Sequence, residues 1–115
     1  MIRSFTDLEV YKRAQRLYPE IVRFTAQFPR EGWHLRDQLC RAANSVTANI
    51  AEGFGRSTPE FKLFLTRSLG SCNENMSHLQ NAMNAKFGDL EKGKWLYGEY
   101  DIIGKQLYQL KNKWK

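Results

Sequence analysis

Two histidines, two cysteines and 12 acidic residues are the groups in this 115-residue chain that could hold a metal or make and break bonds. A carboxylate-bridged metal site inside a helical bundle needs Glu-x-x-His pairs three residues apart and further inward-facing glutamates. Here Glu74 and His78 are four apart and point off the apolar stripe of their segment, and His34 stands alone near a helix start. Cys40 and Cys72 match no metal or redox spacing and are too few for a disulfide framework. Cys72 falls on an apolar helix face, where a thiol is ordinarily a small core residue. Gly53-Phe54-Gly55-Arg56-Ser57 has the look of a phosphate loop but lacks the Gly-Lys-Ser/Thr ending and follows a helix. Its plainer meaning is a helix terminator followed by a helix cap. The amides beside Arg56, Ser57 and Thr58 could still serve one backbone phosphate. The expectation is therefore no catalytic residue, no metal, no cofactor and no enzyme.

Binding chemistry is better represented. Eighteen Lys and Arg against 12 Asp and Glu give a net charge of +6, which favours polyanionic partners: RNA, DNA or an acidic protein surface. Lys12, Arg16 and Arg23 fall within about 40° of one another at 100° per residue, opposite the apolar face of their helix, and Arg13 flanks them. The last eleven residues hold Lys105, Lys111, Lys113 and Lys115 and no acid, with Tyr108 and Trp114 interleaved. Lysines for phosphates and rings for bases are what a single-stranded or loop-RNA surface uses. The plain alternative is a solvated face and a frayed basic tail. Gln38, Ser45, Asn49 and Glu52 form a second pattern, a polar stripe spaced seven, four and three, bordered by Arg41. Such a stripe is either a solvated flank or a contact that fixes register inside the bundle or between subunits. Ser68 and Asn75 interrupt the apolar stripe of the next segment and need hydrogen-bond partners if buried.

The elements that must position these groups are four helices in one domain over residues 1–115. The composition is that of a soluble globular protein, 42% hydrophobic and 26% charged. No apolar run reaches the roughly 18 residues of a membrane span, and the expected location is the cytoplasm. Thr6-Asp7-Leu8-Glu9 has the form of a capping box, with Phe5 and Val10 as a staple around it. A first helix is predicted from about Asp7 to Gln27, kinked by Pro19, with Tyr11, Ala14, Tyr18, Ile21, Thr25 and Phe28 on its core face. A second is predicted from Leu35 to Glu52, with Gly53 as a left-handed terminator. A third begins at the box Ser57-Thr58-Pro59-Glu60 and runs about 28 residues to Gly88. The fourth, Leu90 to Trp114, carries Gly93, Gly98 and Gly104 and depends on tertiary packing. Its predicted core face is Trp95, Leu96, Ile102, Ile103, Leu107, Leu110 and Trp114. Trp33, Phe54, Phe24 and Tyr97 fall outside the best core stripes and could mark a subunit interface. Short links between such helices read as an antiparallel up-down four-helix bundle.

The run Arg41-Ala42-Ala43-Asn44-Ser45-Val46-Thr47-Ala48-Asn49-Ile50-Ala51-Glu52-Gly53 is the most specific stretch. With Arg56-Ser57, Glu60-Phe61, Phe64-Leu65 and Gly70-Ser71…Glu74, it resembles the bacterial four-helix-bundle family of 23S rRNA intervening-sequence proteins. Phe5-x-x-Leu8-x-Val10-Tyr11, Phe28-Pro29 and Leu35-x-x-Gln38-Leu39 extend the resemblance over nearly the whole chain; the fourth helix matches only in hydrophobic pattern. The resemblance implies a homopentamer without established enzymatic activity. It is similar, too, to accessory variability proteins of diversity-generating retroelements, which bind a reverse transcriptase and nucleic acid. Ser45, Asn49, Glu52, Gly53 and Arg56 match the family motif and carry over as structural or interface residues. Two functions follow as expectations: an oligomeric, electrostatic binder of RNA or RNA–protein complexes, or a scaffold docking a reverse transcriptase or other acidic partner.

Overall fold

In the computed structural model, which describes residues 1–115, each punctuated segment of the sequence is a helix. A 3-10 turn over Phe5–Asp7 leads into α1 (Glu9–Ala26), and a second over Arg30–Gly32 leads into α2 (Trp33–Gly53). With α3 (Thr58–Asn84) and α4 (Leu90–Lys113) they make an all-α four-helix bundle without strands. No helix is long and apolar enough to cross a membrane.

Neighbouring helices meet in opposed registers. Arg13 meets Glu99 and Glu20 meets Lys92, so partner numbers fall along α4 as they rise along α1. On α2 and α3, Ser45 meets Ser71 and Gly53 meets Phe61 and Phe64. On α3 and α4, Met83 meets Gly93, Cys72 meets Tyr100, and Phe61 meets Trp114. The body measures 44 × 21 × 19 Å. One end, the tail end, gathers the starts of α1 and α3 with the last turns of α2 and α4. The other, the turn end, carries the Arg30–Gly32 turn and the α3–α4 loop.

One continuous core draws on all four helices, with Ile21, Leu39, Val46, Ile50, Leu79, Leu96 and Ile103 fully buried. The faces differ in detail from the periodic reading. On α1 the buried residues are Val10, Ala14, Leu17, Ile21, Phe24 and Thr25; Tyr11 and Tyr18, with their polar tips, lie at its edge. On α4, Trp95 and Ile102 face solvent, and Tyr100 is buried in their stead. Phe24 is core, Phe54 is half-buried, and Trp33 lies outside.

Helix ends show the same sharpening. The N-terminal capping box is Ser4 with Asp7, not Thr6 with Glu9. Leu8 is extended and buried, so it separates the 3-10 turn from α1 and moves the box to the turn. The amides of Arg3 and Ser4 donate to Asp7 and hold its carboxyl below the usual range. α1 continues through Pro19, which removes one backbone donor without ending the helix. Ser57 caps α3 as expected: its Oγ accepts from Glu60 N and donates to the Glu60 carboxylate at 2.7 Å. That contact lowers the Glu60 pKa. α3 ends at Asn84, four residues before Gly88, because Lys86 already adopts the left-handed conformation (φ 63°). The Phe87 amide then returns to the Ala82 carbonyl.

Gly53 is helical and buried, and the left-handed residue is Gly55 (φ 87°). A Cβ on Gly53 would stand 2.4 Å from Phe64 Cβ. Close approach of α2 to α3, not turn geometry, explains this glycine. On α4, a Cβ on Gly93 would stand 3.0 Å from Met83, whereas a Cβ on Gly104 would make only ordinary contact with Leu69 (3.4 Å).

Candidate nucleic-acid interface

The polar stripe of α2 divides in two. Ser45 and Asn49 belong to the bundle: Asn49 Nδ2 donates to the Ser45 carbonyl (2.9 Å) and to Ser45 Oγ (3.0 Å), and Ser71 of α3 donates to the same hydroxyl at 2.8 Å. Ser68, fully buried, donates to the Val46 carbonyl at 2.7 Å. These bonds fix the α2–α3 register beside the close approach at Gly53. Gln38 and Arg41 instead border, with Ala42, Ser45 and Glu74, an open hollow of about 200 Å³. Arg41 pairs loosely with Asp37 at 3.9 Å, and the Glu52 side chain is exposed without an ion pair. Asn75 is fully buried facing the Tyr100 hydroxyl, whose pKa burial raises.

No three His, Cys, Asp or Glu side chains converge. His78 meets only Glu74, at 3.1 Å across one helical turn. Cys72 is buried and donates to the Tyr100 carbonyl at 2.9 Å. Burial pushes its thiol up to about 12, which keeps it protonated and unreactive.

The basic residues sort by their partners. Eight of the 18 Lys and Arg side chains stand within 4 Å of a carboxylate, which leaves ten unpaired. Five of the nine expected nucleic-acid contacts fall in the paired group. Lys12 meets Glu9 (3.5 Å), Arg23 meets Glu20 (2.7 Å), and Lys105 meets Asp101 (3.1 Å). Arg13 reaches across to Glu99 of α4 at 2.8 Å. Arg56 donates to the Glu52 carbonyl, pairs with Glu60 at 3.6 Å and lies over the Phe64 ring. At the start of α3 the Ser57 hydroxyl already serves the Glu60 amide, and the Glu60 carboxylate stands where a phosphate would come. The α1–α4 seam is thus laced by charge: Lys92 bonds Glu20 at 2.6 Å and stacks on Trp95. Those contacts, Lys92 first and Arg23 second, hold the Glu20 carboxyl below its ordinary range. Two of these pairs, Arg13–Glu99 and Lys92–Glu20, join different helices and lie beyond any sequence spacing.

Arg16, Lys111, Lys113 and Lys115 remain unpaired. The three lysines occupy the tail end. Trp114 between them is packed edge-on against Phe61 (4.9 Å) and near Phe54 (6.1 Å), so it anchors the last turn of α4 and is not free for a base. Tyr108, 58% exposed, is the available ring of that segment. Lys62 and Arg67 in the first half of α3 are also unpaired, and Arg67 lies over Phe64 at 4.9 Å, on the side of α3 that meets α2. Lys62 and Arg67 lie outside the basic clusters that the sequence pattern picks out.

A family model described as 23S rRNA-intervening sequence protein matches residues 6–109. No curated protein matches the chain.

Proposed function

The chain belongs to the 23S rRNA-intervening sequence protein family, and from that premise we propose a non-enzymatic, homo-oligomeric protein of the cytoplasm that holds RNA or an RNA–protein complex by charge. The observation that carries this reading is the acid-free set Lys111, Lys113 and Lys115, unpaired at the tail end, where Trp114 packs on Phe61. Arg16 adds to the same field; Lys12, Arg13, Arg23, Arg56 and Lys105 contribute less, because each already faces a carboxylate. Self-association, as a pentamer, is supported by α4: Trp95 (47% exposed) and Ile102 (39%) stand two turns apart on its outer face, with open Gly98 between them. A ring repeats each modest patch, and multivalent contact multiplies weak affinity.

The test is filter binding of ribosomal RNA fragments and unrelated RNA at several salt concentrations. Replacing Lys111, Lys113 and Lys115 with Glu removes about three phosphate contacts and lowers the salt slope by about 2 for single strands. Unchanged RNA affinity in that variant refutes the reading, and light scattering showing a monomer at micromolar concentration refutes the assembly. The exposed α4 rings also favour a second reading, a scaffold for a reverse transcriptase or another acidic protein. Weak RNA binding without preference, beside tight capture of such a partner, would decide for it.

A further inference from the structure

The turn end carries an aromatic and basic cluster that the function above leaves unused. Trp33, the first residue of α2, is 65% exposed, the most exposed aromatic ring of the molecule. It is more exposed than Trp95 (47%) or Tyr108 (58%), and it stands among unpaired cations. Arg36, one turn on, shares with Trp33 a shallow hollow of about 120 Å³. Arg30 lies three residues before Trp33, in the turn whose carbonyl accepts the Trp33 amide. Lys86 is brought alongside by the α3–α4 loop: the next residue, Phe87, packs its ring on Gly32 and at 5.6 Å from Phe28. Arg30, Arg36 and Lys86 all lack a carboxylate within 4 Å, whereas Asp37 is turned to Arg41 and Asp89 caps the Lys92 amide. Glu31 and Asp37, which also lines the hollow, are the acids of the cluster, so its three cations leave it at +1.

We propose that this cluster is a single-strand RNA contact, in which one unpaired base stacks on Trp33 while Arg30, Arg36 and Lys86 hold the flanking phosphates. The combination of an exposed indole with unpaired cations on either side favours a nucleotide over an acidic peptide, which would use the charges and leave the ring idle. The site deepens the RNA-binding reading and rests on it, but it is spatially separate from the tail-end lysines, at the opposite pole of a 44 Å body.

The probe is a short oligouridylate, titrated while tryptophan fluorescence is followed. Stacking quenches Trp33 emission. Trp33→Ala is expected to weaken binding roughly 5- to 150-fold, and Trp33→Phe to retain affinity within about threefold while the quench disappears. Arg36→Glu lowers the salt slope by about 1. Because Trp33 is a surface ring, these variants leave helicity intact, which circular dichroism verifies. Unchanged affinity in Trp33→Ala overturns the proposal; if the Lys111/Lys113/Lys115 variant still loses binding, the wider reading survives. Absence of any RNA binding by the native protein removes both. Polyglutamate competing as well as oligouridylate at equal charge, irrespective of Trp33, would assign the cluster to an acidic protein and overturn the proposal.

Discussion

Gly53→Ala and Gly70→Ala are the same chemical change in two helices, and the structure gives them opposite signs. Alanine in place of a helical glycine ordinarily stabilises by about 1 kcal/mol. At Gly70 of α3 the new methyl meets nothing within 4 Å, so the full gain is expected. At Gly53 it would stand 2.4 Å from Phe64 Cβ and 2.9 Å from Cγ. Carbon atoms make their best contact at about 3.5–4.0 Å, so the overlap exceeds 1 Å. Phe64 Cβ is fixed to the α3 backbone and cannot rotate away, so α2 and α3 must part. Overpacking of this kind costs about 1–3 kcal/mol, and the lack of a rotamer escape places it at the upper end. After the propensity gain the net loss is about 2 kcal/mol, or roughly 8 °C for a domain of this size. Urea unfolding and thermal melts followed by circular dichroism, at one protein concentration, measure it. Equal shifts in the two variants, or a Gly53→Ala protein as stable as the parent, would refute the close-approach account. The displaced Phe64 also carries Arg56 and Arg67 at 4.9 Å each, so RNA affinity should fall with stability in Gly53→Ala and not in Gly70→Ala.

Three further outcomes are expected. A thiol reagent at pH 8 should label half-buried Cys40 in the folded protein and reach Cys72 only on unfolding, as its burial and raised pKa require; fast labelling of both would contradict the packing. Glu20, lowered by Lys92 and Arg23, contributes stability that is present above its unfolded pKa of about 4.3 and is lost as pH falls through the lower folded value. Glu20→Gln should therefore flatten the acid limb of the melting curve, and an unaltered limb would sink that assignment. Trp114→Ala, which deletes the contacts to Phe61 and Phe54, should cost about 1–3 kcal/mol. It should also weaken RNA binding although no charge changes, because the last turn of α4 frays; undiminished affinity would show that the lysines need no anchor.

Much of the architecture was legible because helix punctuation is local. Ser57, Pro59 and Glu60 mark the start of α3 by side-chain chemistry within four residues, and the structure shows the bonds they imply. What escaped was long-range. Periodicity put Tyr11 and Tyr18 in the core because it weighs ring area alone, whereas their hydroxyls keep them at its edge. Gly53 was read through the backbone freedom of glycine, although its reason lies on another helix, eleven residues on at Phe64. The candidate site suffered most from this. Counting Lys and Arg found the charges, but Arg13–Glu99 and Lys92–Glu20 are pairs between α1 and α4 that no spacing rule reveals. Ser45 and Asn49 read as a polar stripe in the sequence, while their partner Ser71 lies on α3, beyond any local spacing.

Lys86 closes α3 in a conformation that suits glycine, and a side chain there costs about 1 kcal/mol. Replacing it with Gly should make the protein harder to melt. If the same change loosens its grip on RNA, the domain holds a deliberate compromise at this turn, with folding robustness surrendered so that an ammonium group stays at the pole.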